Sequence, residues 1–343
     1  DLGEIVGIER LIPNGVRAYA FDWFDIGNPS ALAEARASDS FATNVNVLDK
    51  PDEAIWLLND RVVKFSNNKE FIHNRSARSL DLAPLVPQVI GATEHMYSYL
   101  RVEGDVLSKS VNREILLEFM NFCAALWVDR ATEIDESLYT NLCDAFYRKK
   151  TIERVDQFVA SHSWAADGLK VNGVRCRPIA VLLGSINWDD FSAGCPTRFH
   201  GDLHFENVLR DFEGNHFTLL DWRQDFGGNT RVGDLYYDLA KILHGIVVSH
   251  EEIRLNNFKV KRQDRDISIQ IRQDPRYQPL GETFLGWCEQ HGYSREKIIT
   301  MTGLIFLNIA ALHHSPYDDF LFALGVLISE TGVIDDGIFT SQP

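Results

Sequence analysis

The apolar positions change period near residue 104. Before it they come in strand-length runs: Thr43-Asn44-Val45-Asn46-Val47-Leu48, then Ala54-Ile55-Trp56-Leu57-Leu58, then Arg61-Val62-Val63-Lys64-Phe65. Asp49 to Glu53 and Asn59-Asp60 supply the turns, so a three-stranded meander is predicted. Asn68 to Leu82 has helical character, and Val86 to Gly91 and Met96 to Asp105 read as two further strands and a bend. After Gly104 the spacing becomes helical. Ile115, Leu116, Phe119, Phe122, Cys123, Leu126 and Trp127 share one face, which makes Cys123 a packing residue. Leu138 to Ala160 predicts a second helical stretch or pair, and Ile179 to Ile186 another. A helix from Gly233 turns Leu235, Leu239, Ile242, Leu243 and Ile246 inward, with Asp234 at its favourable start. Ile298 to Ala311 and Phe320 to Glu330 predict two apolar-faced helices; the His313-His314 and Tyr317-Asp318-Asp319 segments between them suit either an acceptor pocket or a plain turn. Ala165 to Gly173 reads as a loop. The charged stretch 251–275 reads as a surface excursion or an acceptor lid. Together these elements predict an α+β chain with a small antiparallel β part followed by a larger, mainly helical part.

One short interruption of the helical region carries the chemistry. Val208 and Leu209, then Phe217, Leu219 and Leu220, are spaced for two strands joined by the turn 211–215. Such a hairpin returns Asp221 towards Asn207. A lone Asp-to-Asn spacing of five is uninformative, but here His200-Gly201-Asp202-Leu203-His204-Phe205-Glu206-Asn207 precedes the hairpin, Asp221-Trp222 closes it, and Gly233-Asp234 and Asp238-Leu239-Ala240 follow. Phosphoryl transfer needs one carboxylate to orient or deprotonate a hydroxyl, and an amide oxygen plus a second carboxylate to hold the metal on the phosphates. Asp202, Asn207 and Asp221 fit those roles in that order. Magnesium wants hard oxygen ligands and takes only one or two from protein, so one Asn and one Asp suffice. His200 and His204 invite a zinc reading, but Gly201 and the adjoining strand put them in a loop without an obvious third ligand.

The runs HGDLHFENVL, LLDW and GDLYYDLAKILHG resemble the aminoglycoside phosphotransferase and choline kinase family, most closely over residues 197–245. That resemblance implies a bilobal protein-kinase-like fold with nucleotide between the lobes and acceptor on the helical lobe. It implies Asp202 as catalytic base, Asn207 and Asp221 as Mg2+ ligands, and Asp238 as support for the catalytic loop. Lys64 is then the lysine that reaches the phosphates, unless it is a solvated strand lysine. Glu70 is the only acid between Lys64 and Asp81, hence the candidate partner of Lys64. The lobes join near Tyr99 to Glu103, and Tyr99 and Val102 are the candidate base-binding positions, through main-chain groups that do not separate ATP from GTP. Asp49 to Glu53 contains no glycine, a departure from the protein kinases, and the loop 223–231 is too short for a regulated activation segment. His200 is expected to hold the loop, with His204 and Trp222 near the acceptor. The expected division is 1–40, an N-terminal extension; 41–104, the smaller lobe; and 105–343, the helical lobe.

Composition adds limits. With 343 residues and a net charge of −15, the chain is large enough for a substantial core and ill suited to nucleic acid or an acidic membrane face. The charge suits a cationic acceptor without choosing one. Cys123, Cys143, Cys176, Cys195 and Cys288 show no C-x-x-C spacing, which predicts neither a zinc site nor a disulfide framework. Phe320 to Ile328 is too short to cross a bilayer, and the acidic start lacks a signal peptide's order, so a cytoplasmic protein without membrane insertion is expected. Trp23-Phe24-Asp25-Ile26-Gly27-Asn28-Pro29 suits a helix capped by Asn28. It also resembles the closing segment of sugar-1-phosphate nucleotidyltransferases, with Asn28 in place of Thr, and the chain begins with Asp. This implies the C-terminal part of a longer bifunctional polypeptide, a vestigial piece, or a partnership with such an enzyme. The expectation is a Mg2+-dependent small-molecule kinase using ATP or GTP on a sugar hydroxyl in surface polysaccharide synthesis. Choline, ethanolamine and aminoglycosides are alternative acceptors, and a nucleotide-binding pseudokinase domain is the alternative from another class.

Overall fold

The structure is a computed structural model that describes residues 46–50, 52–214, 216–334 and 336–340. The nucleotidyltransferase-like segment, and the whole 1–40 extension, lie outside the described residues. The chain is α+β, an antiparallel sheet followed by a larger helical part.

Strands β1 (Asn46–Lys50), β2 (Glu53–Leu57), β3 (Arg61–Ser66), β4 (Val89–Ala92) and β5 (Met96–Leu100) form an antiparallel sheet in the order β1-β2-β3-β5-β4. The meander follows the predicted turns, with Lys64 opposite Ile55 on one side and Tyr97 on the other. Side chains alternate across a strand, and Val62, Lys64 and Ser66 share the buried face of β3. Lys64 therefore points inward, which removes the solvated-lysine reading. Between β3 and β4 runs helix α1 (Lys69–Leu82), capped by the Asn68 side chain, which accepts the Phe71 amide at 3.1 Å. Its buried face includes Arg78 beside Ile72 and Leu82.

After β5 the chain passes through 101–104 into the short strand Asp105–Val106, which pairs with Val208–Arg210; that strand pairs in turn with Phe217–Leu219. The segment joining the two parts is thus stitched directly to the predicted hairpin. The helical part is built from α2 (Arg113–Ala124), α3 (Glu136–Asp144), α4 (Lys150–Ser161), α5 (Leu235–Val247), α6 (Leu280–Gln290), α7 (Arg295–Ala310) and α8 (Tyr317–Thr331). A π-helical turn, Ala145–Lys149, joins α3 to α4. Helix α5 is buried along nearly its whole length. Helices α7 and α8 pack closely because Gly303 and Gly325 sit at their contact: a Cβ on Gly325 would lie 2.7 Å from Leu307 Cγ.

Two sequence expectations are corrected. Within 165–173, Leu169–Val171 is a strand paired with Val174–Cys176. Within 251–275, Phe258–Gln263 and Asp266–Arg272 form a hairpin that joins those strands in one sheet. Ile267, Ile269 and Ile271 alternate inward at period two, a signal hidden by the density of charge in the residues just before them. Among the described residues no helix is long and apolar enough to cross a membrane.

Candidate active site

The loop after Phe199 is held from beneath by one carboxylate. Asp238, buried in the first turn of α5, accepts the His200 amide at 2.8 Å, the Gly201 amide at 2.6 Å and the Trp127 indole N–H at 3.1 Å. Burial pushes its pKa up to about 6 against those three donors and the Arg78 charge. His200 is fully buried and its Nδ1 accepts the Asp202 amide at 3.2 Å. Burial drives the His200 pKa down to about 3, so the ring is neutral, as an acceptor must be. Gly201 has φ +89°, and a Cβ there would meet Arg223 Cβ at 2.6 Å, so glycine is needed both for the conformation and for the close approach. The loop thereby presents Asp202 at its tip.

Asp202 is gripped on both oxygens. Its Oδ1 lies 2.8 Å from Lys241 Nζ. Its Oδ2 lies 3.2 Å from Asn207 Nδ2 and 3.6 Å from His204 Nε2. Burial alone would raise its pKa, but the Lys241 ammonium and His204 outweigh burial and hold it well below the usual carboxylate range. Asn207 Nδ2 also donates to the Asp202 carbonyl at 2.9 Å and sits 3.1 Å from His204 Nε2. Its amide nitrogen is thus fully committed, while its Oδ1 accepts none of the described hydrogen bonds.

The hairpin returns Asp221 as its spacing predicts. The Leu220 amide donates to the Asn207 carbonyl at 2.7 Å, and Asp221 itself takes the left-handed conformation at φ +55°. Both of its cationic partners, Lys64 Nζ from β3 and Arg75 Nη1 from α1, reach Oδ1, the latter at 3.2 Å. None of the described hydrogen bonds ends on its Oδ2. Asn207 Oδ1 and Asp221 Oδ2 are thus two hard oxygens on which none of the described hydrogen bonds ends, a donor set of the kind that fits Mg2+.

Two expectations, for Glu70 and Trp222, need correction, and His204 lies beside Asp202. Glu70 is exposed in the first turn of α1, and Lys64 makes an ion pair with Asp221. Six residues leave room for the strand end and cap but not for a helical carboxylate to turn back. Trp222 is completely buried, donates to the Arg75 carbonyl at 2.9 Å and packs near Tyr97, so it joins α1 to the hairpin and faces no acceptor. His204 is buried against His250, with ring centroids 4.5 Å apart, and braces Asp202 and Asn207. Tyr99 is buried in β5, and Val102 is half-buried in the connecting segment.

A cavity of about 340 Å³ opens beside Asp202. Phe146, Tyr147 and Tyr237 form an aromatic wall, and Leu304, Ile305 and Ile309 of α7 an aliphatic one. Neither 251–275 nor the segments 313–314 and 317–319 line it.

Residues 144–264 match the phosphotransferase enzyme family. That span contains Asp202, Asn207, Asp221, Asp238 and Lys241, while Lys64, Arg75, Arg78 and Trp127 precede it. No curated protein matches the chain. Among solved structures, an aminoglycoside phosphotransferase captured with streptomycin and ATP is similar at 12% identity, over 88% of this chain and 97% of that one, with a TM-score of 0.46. The choline kinase of Streptococcus pneumoniae is similar at 14% identity over 88% and 98%, TM-score 0.44. The ethanolamine kinase of Plasmodium vivax is similar at 10% identity over 95% and 94%, TM-score 0.47.

The motif search missed Arg78, Arg75 and Lys241. Arg78 is buried and spans from α1 to the catalytic loop, donating to the carbonyls of Phe199 and Arg223 and lying 3.9 Å over the Phe199 ring. Lys241 sits among the inward-facing apolar residues of α5, one turn after Asp238, and that was its available signal: a charge on a buried face needs a partner.

Proposed function

We propose that the chain is a Mg2+-dependent small-molecule kinase that moves the γ-phosphoryl group of ATP to an acceptor hydroxyl. The observation that carries this reading is that Asp202 borders the cavity and is braced by Asn207, whose carbonyl accepts the amide just before Asp221. The acceptor hydroxyl would be oriented by the ionised Asp202. As its oxygen bonds to the γ-phosphorus, the bond from that phosphorus to the bridging oxygen breaks and ADP departs, while the hydroxyl proton passes to Asp202 and on to solvent. A carboxylate held well below its usual range is a weak base, so its work is chiefly orientation, with proton acceptance late. Asn207 Oδ1 and Asp221 Oδ2 would hold Mg2+, which when bound neutralises charge on the phosphates. Lys64 and Arg75 are placed to approach the same phosphates from the sheet side, and Asp238 fixes the loop through the His200 and Gly201 amides. Tyr99 and Val102 flank the segment where the base would meet main-chain groups.

For the acceptor, the aromatic wall of the cavity suits the face of a sugar ring, and the nucleotidyltransferase-like residues 23–29 favour a sugar derivative destined for surface polysaccharide. Phosphorus NMR with Mg-ATP and a panel of sugars, amino alcohols and aminoglycosides tests the reading. A new phosphomonoester signal that depends on acceptor and disappears in Asp202→Ala is expected; hydrolysis to free phosphate alone, unchanged in the variant, would refute it.

A further inference from the structure

The cavity beside Asp202 is strongly cationic although the chain as a whole carries −15. Arg75, Lys150, Arg154, Arg223 and Lys241 line it, and Asp202 is its one acidic lining residue. Two of these charges are neutralised locally, Lys241 by Asp202 and Arg75 by Asp221. The other three are not: among the described residues Lys150, Arg154 and Arg223 make no ion pair. Arg154 donates to the neutral Gln157 amide oxygen at 3.1 Å. Lys150 and Arg223 lie over the same Phe146 ring, at 4.5 and 5.1 Å from its centroid. Asp225, in the same loop as Arg223, accepts the Gly228 amide at 2.9 Å and does not line the cavity.

Two cations over one ring with a third nearby are costly, and the cost registers on Lys150, whose pKa is pushed down to about 8 by burial and then by Arg223, Arg154 and Lys241, with Asp225 opposing. A π-helical turn, Ala145–Lys149, immediately precedes Lys150, and Phe146, Lys150 and Arg154, spaced four apart, all border the cavity. Single π-turns of this kind recur at functional sites. Lys150 and Arg154 belong to α4, whose cavity side faces the aliphatic residues of α7, and so lie on the acceptor side; Arg75 lines the cavity edge nearest Asp221, to which it is paired. A cationic acceptor placed against Asp202 would meet these three charges unscreened, whereas arginine and lysine converging on one point are the usual recognition for phosphate or carboxylate oxygens.

We propose that the acceptor is an anionic hydroxyl compound of monosaccharide size, carrying a phosphate or carboxylate group that Lys150, Arg154 and Arg223 bind while its hydroxyl faces Asp202. This rests on the kinase reading for the word acceptor, but the anion site itself does not. The global negative charge, which alone suits a cationic acceptor, is overridden by the local one.

The test is calorimetric binding to the full chain with Mg2+ and a non-hydrolysable ATP analogue present, so that the nucleotide's own phosphate site is filled. Four matched ligands are compared: a neutral hexose, its 2-amino derivative, its uronic acid and its 6-phosphate. At least one anionic ligand should bind about tenfold or more tightly than the neutral one, and the uronate and phosphate arms tell which anion is read. In Lys150→Gln/Arg154→Gln that preference should collapse while the analogue's Kd is unchanged. Equal or tighter binding of the neutral or amino sugar, no measurable binding of either anionic sugar, or a preference that survives in the double variant would overturn the proposal. Turnover is measured in parallel with Mg-ATP: anion-selective binding without phosphoryl transfer leaves the anion site standing and removes the kinase reading, while transfer to neutral or cationic acceptors in preference does the reverse.

Discussion

At the scale of single residues, the site joins half-buried carboxylates to buried cations, with buried Asp238 and Arg78 satisfied by neutral groups of the loop. Asp202 is held ionised by Lys241 and His204 against the opposing effect of burial. Its folded-state pKa lies below the unfolded value, so the stability it contributes is present above the ordinary carboxylate pKa and is lost as the pH falls towards the lowered one. Lys241→Gln removes the largest lowering influence and leaves burial in place. The acid limb of the kcat/KM profile should therefore move to higher pH, with kcat lowered at neutral pH; a profile that keeps its acid limb would assign Lys241 a purely structural role. Asp238 serves a different end. Asp238→Ala orphans the His200 and Gly201 amides and the Trp127 indole, and should destabilise the chain by about 2–5 kcal/mol in urea denaturation. The motif residues were legible because their spacing repeats a chemical need. Lys241 and Arg78 were not, because Lys241 is a lone charge on an apolar face, Arg78 is one of several charges on a polar helix, and the partners of both are distant in sequence, Asp202 for one and the carbonyls of Phe199 and Arg223 for the other.

At the scale of elements, three supports meet at the catalytic loop: α5 below it through Asp238, α1 beside it through Arg78 and Trp222, and the hairpin that ends on Asp221. The helix starts and the hairpin were readable from capping residues and alternation, as Asn68, Asp234 and the Val208 to Leu220 segment show. The sheet made of Leu169–Val171, Val174–Cys176 and the 258–272 hairpin was not, because three-residue strands carry almost no period and the longer hairpin is masked by charge. Replacing Arg78 by Met removes two buried donors that fasten α1 to the loop. A loss of about 2–4 kcal/mol is expected from the urea midpoint. Gly201→Ala should act more locally: positive φ and the 2.6 Å approach to Arg223 Cβ force the loop to shift, so kcat should drop at least about tenfold while nucleotide affinity is retained. Equal kcat in that variant would mean that the loop has room to relax.

At the scale of the whole molecule, a chain of net charge −15 concentrates cations at a single cavity between the catalytic loop and helices α4 and α7. Overall composition could not reveal this, since the five cavity cations come from segments as far apart as α1 and α5. The helical platform under the cavity depends on close packing of α7 against α8. Gly325→Val should overpack that contact and lower stability by about 1–3 kcal/mol, read as a fall in Tm, with the cavity wall of α7 displaced and acceptor KM raised more than nucleotide KM.

The most direct test of phosphoryl transfer through this site is single-turnover kinetics with Mg-ATP on the chain and on Asp202→Asn, alongside nucleotide binding to both. Transfer slowed by about 10²–10⁴-fold with nucleotide affinity little changed is the predicted result. A variant that transfers phosphate at the parent rate would contradict the assignment of Asp202 and, with it, the active site described around it.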